Sequence, residues 1–186
     1  MKINNILTYK PQKGERFLID TNIWLYLFCP LGDYKPYQIK PYEIFFNDSI
    51  KNGSLFYISS IIVSEFINRY FRLEFNILSA TKSSVYSDFK KDSRGSKEFL
   101  STASAIKITL IKNILRISKP IDDKFSSINI SNIIDQIENI DFNDEYILQL
   151  SSISDLKIVT NDFDFGLSKS AGGVLTANRK LLKLSA

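Results

Sequence analysis

An aspartate stands where an apolar stretch changes its period, in the sequence RFLIDTNIWLYLF at residues 16–28. The residues before Asp20 form a short, continuously apolar run, which is typical of a buried strand in a parallel sheet. The residues after it are apolar at helical spacing. Asp20 is therefore predicted to lie at the carboxyl end of a strand, the edge where open α/β sheets bind ligands. Aspartate is also a preferred N-cap residue, so a purely structural role is an alternative.

Three further acidic residues are predicted to lie near the same edge. Asp162 repeats the position of Asp20, because the apolar strand in KIVTND also ends in an aspartate. Glu65 follows the predicted strand LFYIS, and Asp144 lies in the first turn of the helix that precedes the Asp162 strand. Each has a structural alternative: a turn for Asp162, a solvated position for Glu65 and a helix-dipole partner for Asp144.

The four carboxylates are more informative together than singly. Two carboxylates about 4 Å apart repel each other by roughly 4 kcal/mol at an effective dielectric constant near 20. A chain that gathers four of them therefore needs a compensating cation. Without one, we expect one or more of them to hold a proton.

The composition restricts what that cation and its chemistry can be. The chain has 186 residues, which favours a single domain over residues 1–186, and it contains no histidine and one cysteine, Cys29. These counts exclude a Ser-His-Asp triad, imidazole ligands and a Cys-based zinc site. Oxygen donors remain, and they favour Mg²⁺ or Mn²⁺. Such a cation suits phosphodiester hydrolysis, because it lowers the pKa of water and neutralises charge on the leaving oxygen.

The charge of the chain weakly favours a polyanionic partner, since the formal net charge is +4 and the pI is near 9.0. The segment TKSSVYSDFKKDSRGSKEF, residues 81–99, is interpreted either as a solvated loop or as a phosphate-contacting arm. The candidate nucleic-acid contacts in this segment and near the end of the chain are Lys82, Lys90, Lys91, Arg94, Lys97, Arg179 and Lys180. We find no signal core and no apolar run long enough for a membrane helix, so we expect a cytoplasmic protein.

Strand and helix patterns alternate along the chain. The predicted strands occupy 17–19, 54–60 and 156–160, with a last strand and a short helix in GGVLTANRKLL. The predicted helices follow residue 20 and occupy 41–53, 61–77, 98–117, 127–140 and 143–153, the last one capped by Asn143. This alternation predicts an α/β fold with a mostly parallel sheet.

The stretches FLIDTNIWLYLF, ISSIIVSEF, NDEYIL and IVTNDFDF, in this order, resemble the PIN-domain ribonucleases. That family includes the VapC-like toxins of bacterial toxin-antitoxin pairs. The resemblance reaches from Phe17 to VLTANRKLL near the end of the chain. It implies a PIN-like three-layer α/β/α sandwich around a central, mostly parallel sheet.

The resemblance also implies a site. The family's first to fourth acids fall on Asp20, Glu65, Asp144 and Asp162. In the family these acids are catalytic and hold one or two Mg²⁺ or Mn²⁺ ions for RNA hydrolysis. The supporting polar positions fall on Thr21, Asn22 and Thr160.

Two more aspartates are secondary candidates for the same site. The family often has a second acid at the position of Asp164, which we interpret as an auxiliary metal ligand. Asp141 is a less favoured alternative to Asp144, because it precedes the helix.

The chain departs from the compact toxins in two ways. It is longer between Glu65 and Asp144, which we interpret as a helical and basic insertion at about 78–130, so neither substrate choice nor partner surface carries over. The small residues that usually follow the third acid are replaced by the bulkier EYIL.

The sequence thus predicts a metal-dependent endoribonuclease, and the resemblance alone suggests an antitoxin partner and a homodimer. The first alternative is an inactive PIN-like module that binds RNA or protein. The second is a haloacid-dehalogenase-type phosphatase, because a strand followed by Asp162 and Asp164 forms an Asp-x-Asp pair. The phosphatase hypothesis leaves Asp20 unexplained.

Overall fold

A six-stranded sheet flanked by helices forms the centre of the protein. The structure is a computed structural model that describes residues 1–81, 95–170 and 172–185. All its neighbouring strands pair in parallel, in the order β1-β6-β5-β2-β3-β4. The strands are β1 (Lys2–Asn5), β2 (Arg16–Ile19), β3 (Leu55–Ile58), β4 (Ser118–Pro120), β5 (Lys157–Val159) and β6 (Gly173–Thr176). The predicted α/β fold with a parallel sheet is confirmed.

The helices lie between the strands along the chain. They are α1 (Thr21–Phe28), α2 (Pro36–Lys51), α3 (Ser60–Thr81), α4 (Lys97–Ile108), α5 (Leu115–Ile117), α6 (Ile130–Ile134), α7 (Phe142–Ile153) and α8 (Arg179–Leu182). A π-helical segment, Thr109–Ile114, joins α4 to α5. Short 3₁₀ turns cover 125–127, 164–167 and 183–185.

The strand order places a topological switch between β2 and β5. These strands are neighbours, with Ile19 paired to Val159 at their carboxyl ends. From β2 the chain winds towards β3 and β4, whereas from β5 it winds the other way, towards β6. A crevice at the carboxyl ends of such strands is where doubly wound sheets bind ligands.

Strand β2 is buried on both faces, as its apolar run predicts. Phe17, Leu18 and Ile19 have no exposed surface. The Phe17 ring packs edge-on against Phe45 with a centroid distance of 5.1 Å. Trp24 of α1 is likewise fully buried, so α1 packs into the core directly after β2.

Two strands were not predicted, because their sequences lack a strand pattern. Strand β1 is KINN and β4 is SKP, and both form edges of the sheet. An edge strand has only one neighbour, so it needs fewer apolar residues and tolerates a proline such as Pro120.

Several predicted helix boundaries were wrong. Helix α2 begins at Pro36, and Pro41 lies inside it, although its predicted end is confirmed by Gly53 at φ +73°. Within the predicted helix at 127–140, only α6 (Ile130–Ile134) is α-helical. Helix α7 is capped by Asp141 instead of Asn143, because the Asp141 side chain accepts a hydrogen bond from the Asn143 amide.

The described part of the predicted insertion at 78–130 contains α4, α5 and the edge strand β4. Residues 82–94 lie outside the described residues, and with them the predicted contacts Lys82, Lys90, Lys91 and Arg94. Among the helices that are described, none is long and apolar enough to cross a membrane.

We expect Phe17→Ala to lower the free energy of unfolding by about 3 to 5 kcal/mol, because it empties a fully buried ring position under the sheet. Urea denaturation monitored by circular dichroism measures this loss. Phe125→Ala is the matched control, since Phe125 is 64% exposed, and it should cost less than about 1 kcal/mol. Equal losses in the two variants would contradict the assignment of Phe17 to the core.

Candidate metal centre

Asp20 lies at the carboxyl end of β2 and is the N-cap residue of α1. Its Oδ1 accepts a hydrogen bond from the Thr21 amide at 2.6 Å. Its Oδ2 accepts one from the Thr160 hydroxyl at 2.6 Å. The side chain is only 4% exposed, so capping uses one oxygen of a buried carboxylate whose other oxygen points to the neighbouring strand.

The Thr160 hydroxyl joins the ends of β2 and β5. Besides donating to Asp20, it accepts hydrogen bonds from the Asp162 amide at 2.9 Å and from the Asn22 Nδ2 at 3.3 Å. The Asn22 Oδ1 in turn accepts from the Asn161 amide at 3.3 Å. The predicted supporting residues Asn22 and Thr160 are therefore brought together with Asp20 and Asp162.

Glu65 reaches the same edge from α3. Its Oε2 accepts a hydrogen bond from the Thr21 hydroxyl at 2.9 Å, which links it to the residue next to Asp20. Its Oε1 forms an ion pair with Arg69 at 3.2 Å. Glu65 is thus oriented by one neighbour from α1 and one from its own helix.

The remaining acids lie on two chain segments. The Asp162 Oδ1 accepts a hydrogen bond from the Asp164 amide at 3.1 Å, which is the turn geometry considered above. Asp144 lies in the first turn of α7 and is half-buried, whereas the capping Asp141 and the auxiliary candidate Asp164 are exposed.

The charges of the four acids act on one another. Burial raises the pKa of the Asp20 carboxyl from 3.8 to about 7, and the charges of Glu65 and Asp162 contribute to the increase. Burial, followed by the charges of Asp20, Asp162 and Glu65, raises the pKa of Asp144 to about 8. Burial and the charge of Asp162 also raise the pKa of Asp164. The four predicted acids therefore share one electrostatic environment.

The arrangement is not a fully assembled metal site. Within residues 1–81, 95–170 and 172–185, no three acidic, histidine or cysteine side chains are close enough together to hold one ion. The side chains would have to draw nearer to coordinate it. The donor set nevertheless fits Mg²⁺ or Mn²⁺, because it consists of carboxylate oxygens and concentrates negative charge around a buried aspartate.

Two contributors to this edge were missed from the sequence. The Tyr42 hydroxyl lies 2.8 Å from the Asn161 Oδ1 and 3.1 Å from the Thr160 carbonyl oxygen, and it accepts a hydrogen bond from the Ala177 amide at 3.0 Å. No local pattern reveals a partner that is 118 residues away. Arg69 was detectable, because a basic residue four positions after a glutamate on a helix is typical of an ion pair.

The predicted nucleic-acid contacts that are described lie at two places. Arg179 and Lys180 are exposed at the start of α8 and line a cavity of about 720 Å³ together with Asn161 and Phe163, the neighbours of Asp162. Lys97 is exposed at the first residue of α4. The structure therefore places a basic cavity wall beside Asp162.

Comparison with known proteins supports the fold. No protein-family model matches the sequence, and no curated protein matches it. A chain in the crystal structure of VapBC2 from Rickettsia felis, bound to a DNA fragment from their promoter, superposes with a TM-score of 0.50 at 18% sequence identity. The match covers 86% of this chain and 96% of that chain. At this identity the likeness shows a shared fold, in agreement with the PIN-like sandwich expected from the sequence.

We expect the stability of the metal-free protein to fall as pH rises from 5 to 8.5. A carboxyl whose pKa is raised by folding stabilises the protein fully when the pH is below the ordinary pKa of that carboxyl. This stability is lost as the pH rises through the pKa of the folded state. For Asp20 and Asp144 these folded values are about 7 and about 8. Differential scanning calorimetry in the presence of a chelator measures the trend.

The matched variant is Asp144→Asn, which removes one charge and keeps the shape of the side chain. It should raise Tm at pH 8 by about 2 to 4 °C, equivalent to about 1 kcal/mol in a chain of this size, and flatten the pH profile. A lower Tm for this variant at pH 8 would show that Asp144 is not under repulsion.

We expect Thr160→Val to lower the free energy of unfolding at pH 7 by about 1 to 3 kcal/mol at similar side-chain volume. The change removes the hydrogen bonds that the hydroxyl makes with the Asp20 Oδ2 and the Asp162 amide. Thr160→Ser keeps the hydroxyl and should lose less than half as much. Urea denaturation compares the two, and equal losses would assign Thr160 a packing role only.

Proposed function

We propose that this chain, which shares its fold with a component of VapBC2, is a Mg²⁺- or Mn²⁺-dependent endoribonuclease. The observation that supports the proposal is the mutual influence of four carboxylates around buried Asp20, at the switch between β2 and β5. Negative charge concentrated around a buried carboxylate is costly, and a divalent cation is the simplest partner for it.

In the proposed site, Asp20 and Asp162 bind the metal directly, and Glu65 and Asp144 complete or orient the coordination. A metal bound there would activate a water molecule and neutralise charge on the phosphate oxygens. Thr160 holds the Asp20 carboxylate through its hydroxyl, and Thr21 holds Glu65 in the same way. Hydrogen bonds of this kind fix the direction in which a ligand oxygen points. Asp164 remains an auxiliary candidate.

RNA is the proposed substrate because the resemblance in the four sequence stretches is to ribonucleases. Cations such as Arg179 and Lys180, at the cavity beside Asp162, would hold the backbone of the strand. The same acidic cluster repels a bare polyanion, so the proposal requires that metal and RNA bind together.

We extend the proposal to a protein partner. The structure with the shared fold is that of VapBC2 from Rickettsia felis, and the family that the sequence resembles includes the toxin half of toxin-antitoxin pairs. A cognate antitoxin is therefore the proposed partner, and a homodimer is proposed on the resemblance alone. A cytoplasmic location is the corresponding expectation.

The second candidate function is a PIN-like module that binds RNA or protein without cutting it. It is favoured by one observation, that the described residues hold no three ligand side chains close enough for one ion. The phosphatase alternative is weaker, since it gives no role to Asp20 and Glu65, which the Thr21 and Thr160 hydrogen bonds join to the same site.

We expect the purified protein to cleave a mixed RNA pool in Mg²⁺ or Mn²⁺, and to lose cleavage in EDTA. Asp20→Asn should reduce the cleavage rate at least about 100-fold, because even the residues that support metal ligands are worth 10- to 100-fold. Gel electrophoresis of labelled RNA measures the rates, and isothermal titration measures Mn²⁺ binding to each variant.

Asp48→Asn is the matched control, because Asp48 is exposed on α2 and the same charge is removed. It should keep full activity. Cleavage that survives Asp20→Asn would point to a contaminant or to another site. A folded wild-type protein that neither cleaves RNA nor binds Mn²⁺ would favour the binding module.

A further inference from the structure

A second cavity adjoins the carboxylates on the side of α3 and shares no lining residue with the cavity beside Asp162. Its volume is about 580 Å³, and it is lined by one face of α3 and by the start of α7. The polar lining residues that matter here are Ser64, Glu65, Asn68, Arg69, Arg72 and Asn143. We call this cavity the α3 groove. Glu65 belongs to both the α3 groove and the candidate metal centre.

The polar face of α3 is regular. Ser64, Asn68 and Arg72 recur every four residues, so they lie on one face of the helix. All three are exposed, whereas Phe66 and Tyr70 on the opposite face are buried in the core. From Glu65 to Arg72 the helix rises about 10 Å, so the groove leads away from the carboxylates over about two turns.

Two guanidinium groups face this groove. Arg69 uses one nitrogen for its ion pair with Glu65, and a guanidinium has five N–H donors, so further donors remain. Arg72 forms no ion pair with any residue that the structure describes, and it lies one turn farther from Glu65. The groove therefore becomes more basic with distance from the acidic centre.

We propose that the α3 groove binds the phosphodiester backbone of an RNA strand next to the position of cleavage, with Arg72 as the phosphate anchor. This inference rests on the proposed nuclease function. Arginine binds phosphate through two parallel hydrogen bonds, and the amides of Asn68 and Asn143 supply neutral donors of the kind that contact backbone oxygens. An acidic protein segment would also pair with these arginines. A phosphodiester strand is favoured because Glu65 lines the groove and also belongs to the candidate metal centre, so one strand can run from the arginines to the position of cleavage.

Arg72→Gln tests the anchor. Fluorescence anisotropy in Ca²⁺, a cation that also binds carboxylate oxygens, measures the binding of a labelled single-stranded RNA to the full chain at several salt concentrations. Gel electrophoresis confirms that the probe stays intact. We expect Kd to rise about 3- to 10-fold and the salt slope to fall by about 0.7, the value for one phosphate contact on a single strand. Arg72→Lys should restore the slope and only part of the affinity, because lysine keeps the charge and loses the paired hydrogen bonds.

Arg116→Gln is the matched control. It removes the same charge from an exposed position in a different cavity, one lined by Leu27, Phe28 and Lys112. Its binding curve should match that of the wild type. Equal losses for Arg72→Gln and Arg116→Gln would overturn the proposal, since net charge alone would then explain both.

The chemistry of the contact is tested with a single-stranded DNA of the same sequence. A phosphate contact does not depend on the sugar, so Arg72→Gln should weaken DNA binding by a similar factor. A defect confined to RNA would assign Arg72 to the 2′-hydroxyl and overturn the phosphate assignment. A defect confined to poly-glutamate, with nucleic acids unaffected, would overturn it in favour of an acidic protein segment.

The failure of this inference is distinguishable from failure of the proposed function. Wild-type protein that cleaves RNA in Mn²⁺ while Arg72→Gln binds normally would overturn the α3 groove and leave the nuclease intact. Wild-type protein that neither binds nor cleaves RNA would overturn both.

Discussion

The fold gathers carboxylates at one edge of the sheet, and their mutual repulsion is the constraint on which the surrounding structure depends. Asp20 is nearly inaccessible to water, and the charges of Glu65 and Asp162 act on it. Its two oxygens are held from opposite directions, by the Thr21 amide at the start of α1 and by the Thr160 hydroxyl at the end of β5. The neutral hydrogen-bond donors fix the position of the charge without cancelling it. These donors leave the negative potential in place, as the proposed metal site requires.

Much of this edge could be predicted because it follows from local patterns. Three buried apolar residues before Asp20 indicate a strand, helical spacing after it indicates a helix, and the same pattern before Asp162 repeats the arrangement. Parallel strands bring their carboxyl ends to one edge, so the two aspartates could be predicted to lie at the same edge. The pairing of Ile19 with Val159 brings the two strand ends into register.

The remainder depends on contacts that no local pattern encodes. The edge strands β1 and β4 are too short and too polar to show a period of two. The start of α7 was misplaced by two residues because Asp141 and Asn143 are both good caps, and only tertiary packing chooses between them. The sequence also could not show that no three acids in the described part of the chain lie close enough to coordinate one ion, because side-chain positions depend on partners such as Arg69.

The Tyr42 hydroxyl has a dynamic consequence. Through contacts with Thr160, Asn161 and Ala177, this one group from α2 connects the residues that follow β5 and β6. The tyrosine is buried, so these contacts can be lost only if α2 separates from the sheet. Opening of α2 at Tyr42 therefore loosens the segments after β5 and β6 together, whereas fraying at the ends of the helix leaves these contacts intact. A helix that contributes no acid thus holds Thr160 and Asn161 at the acidic edge.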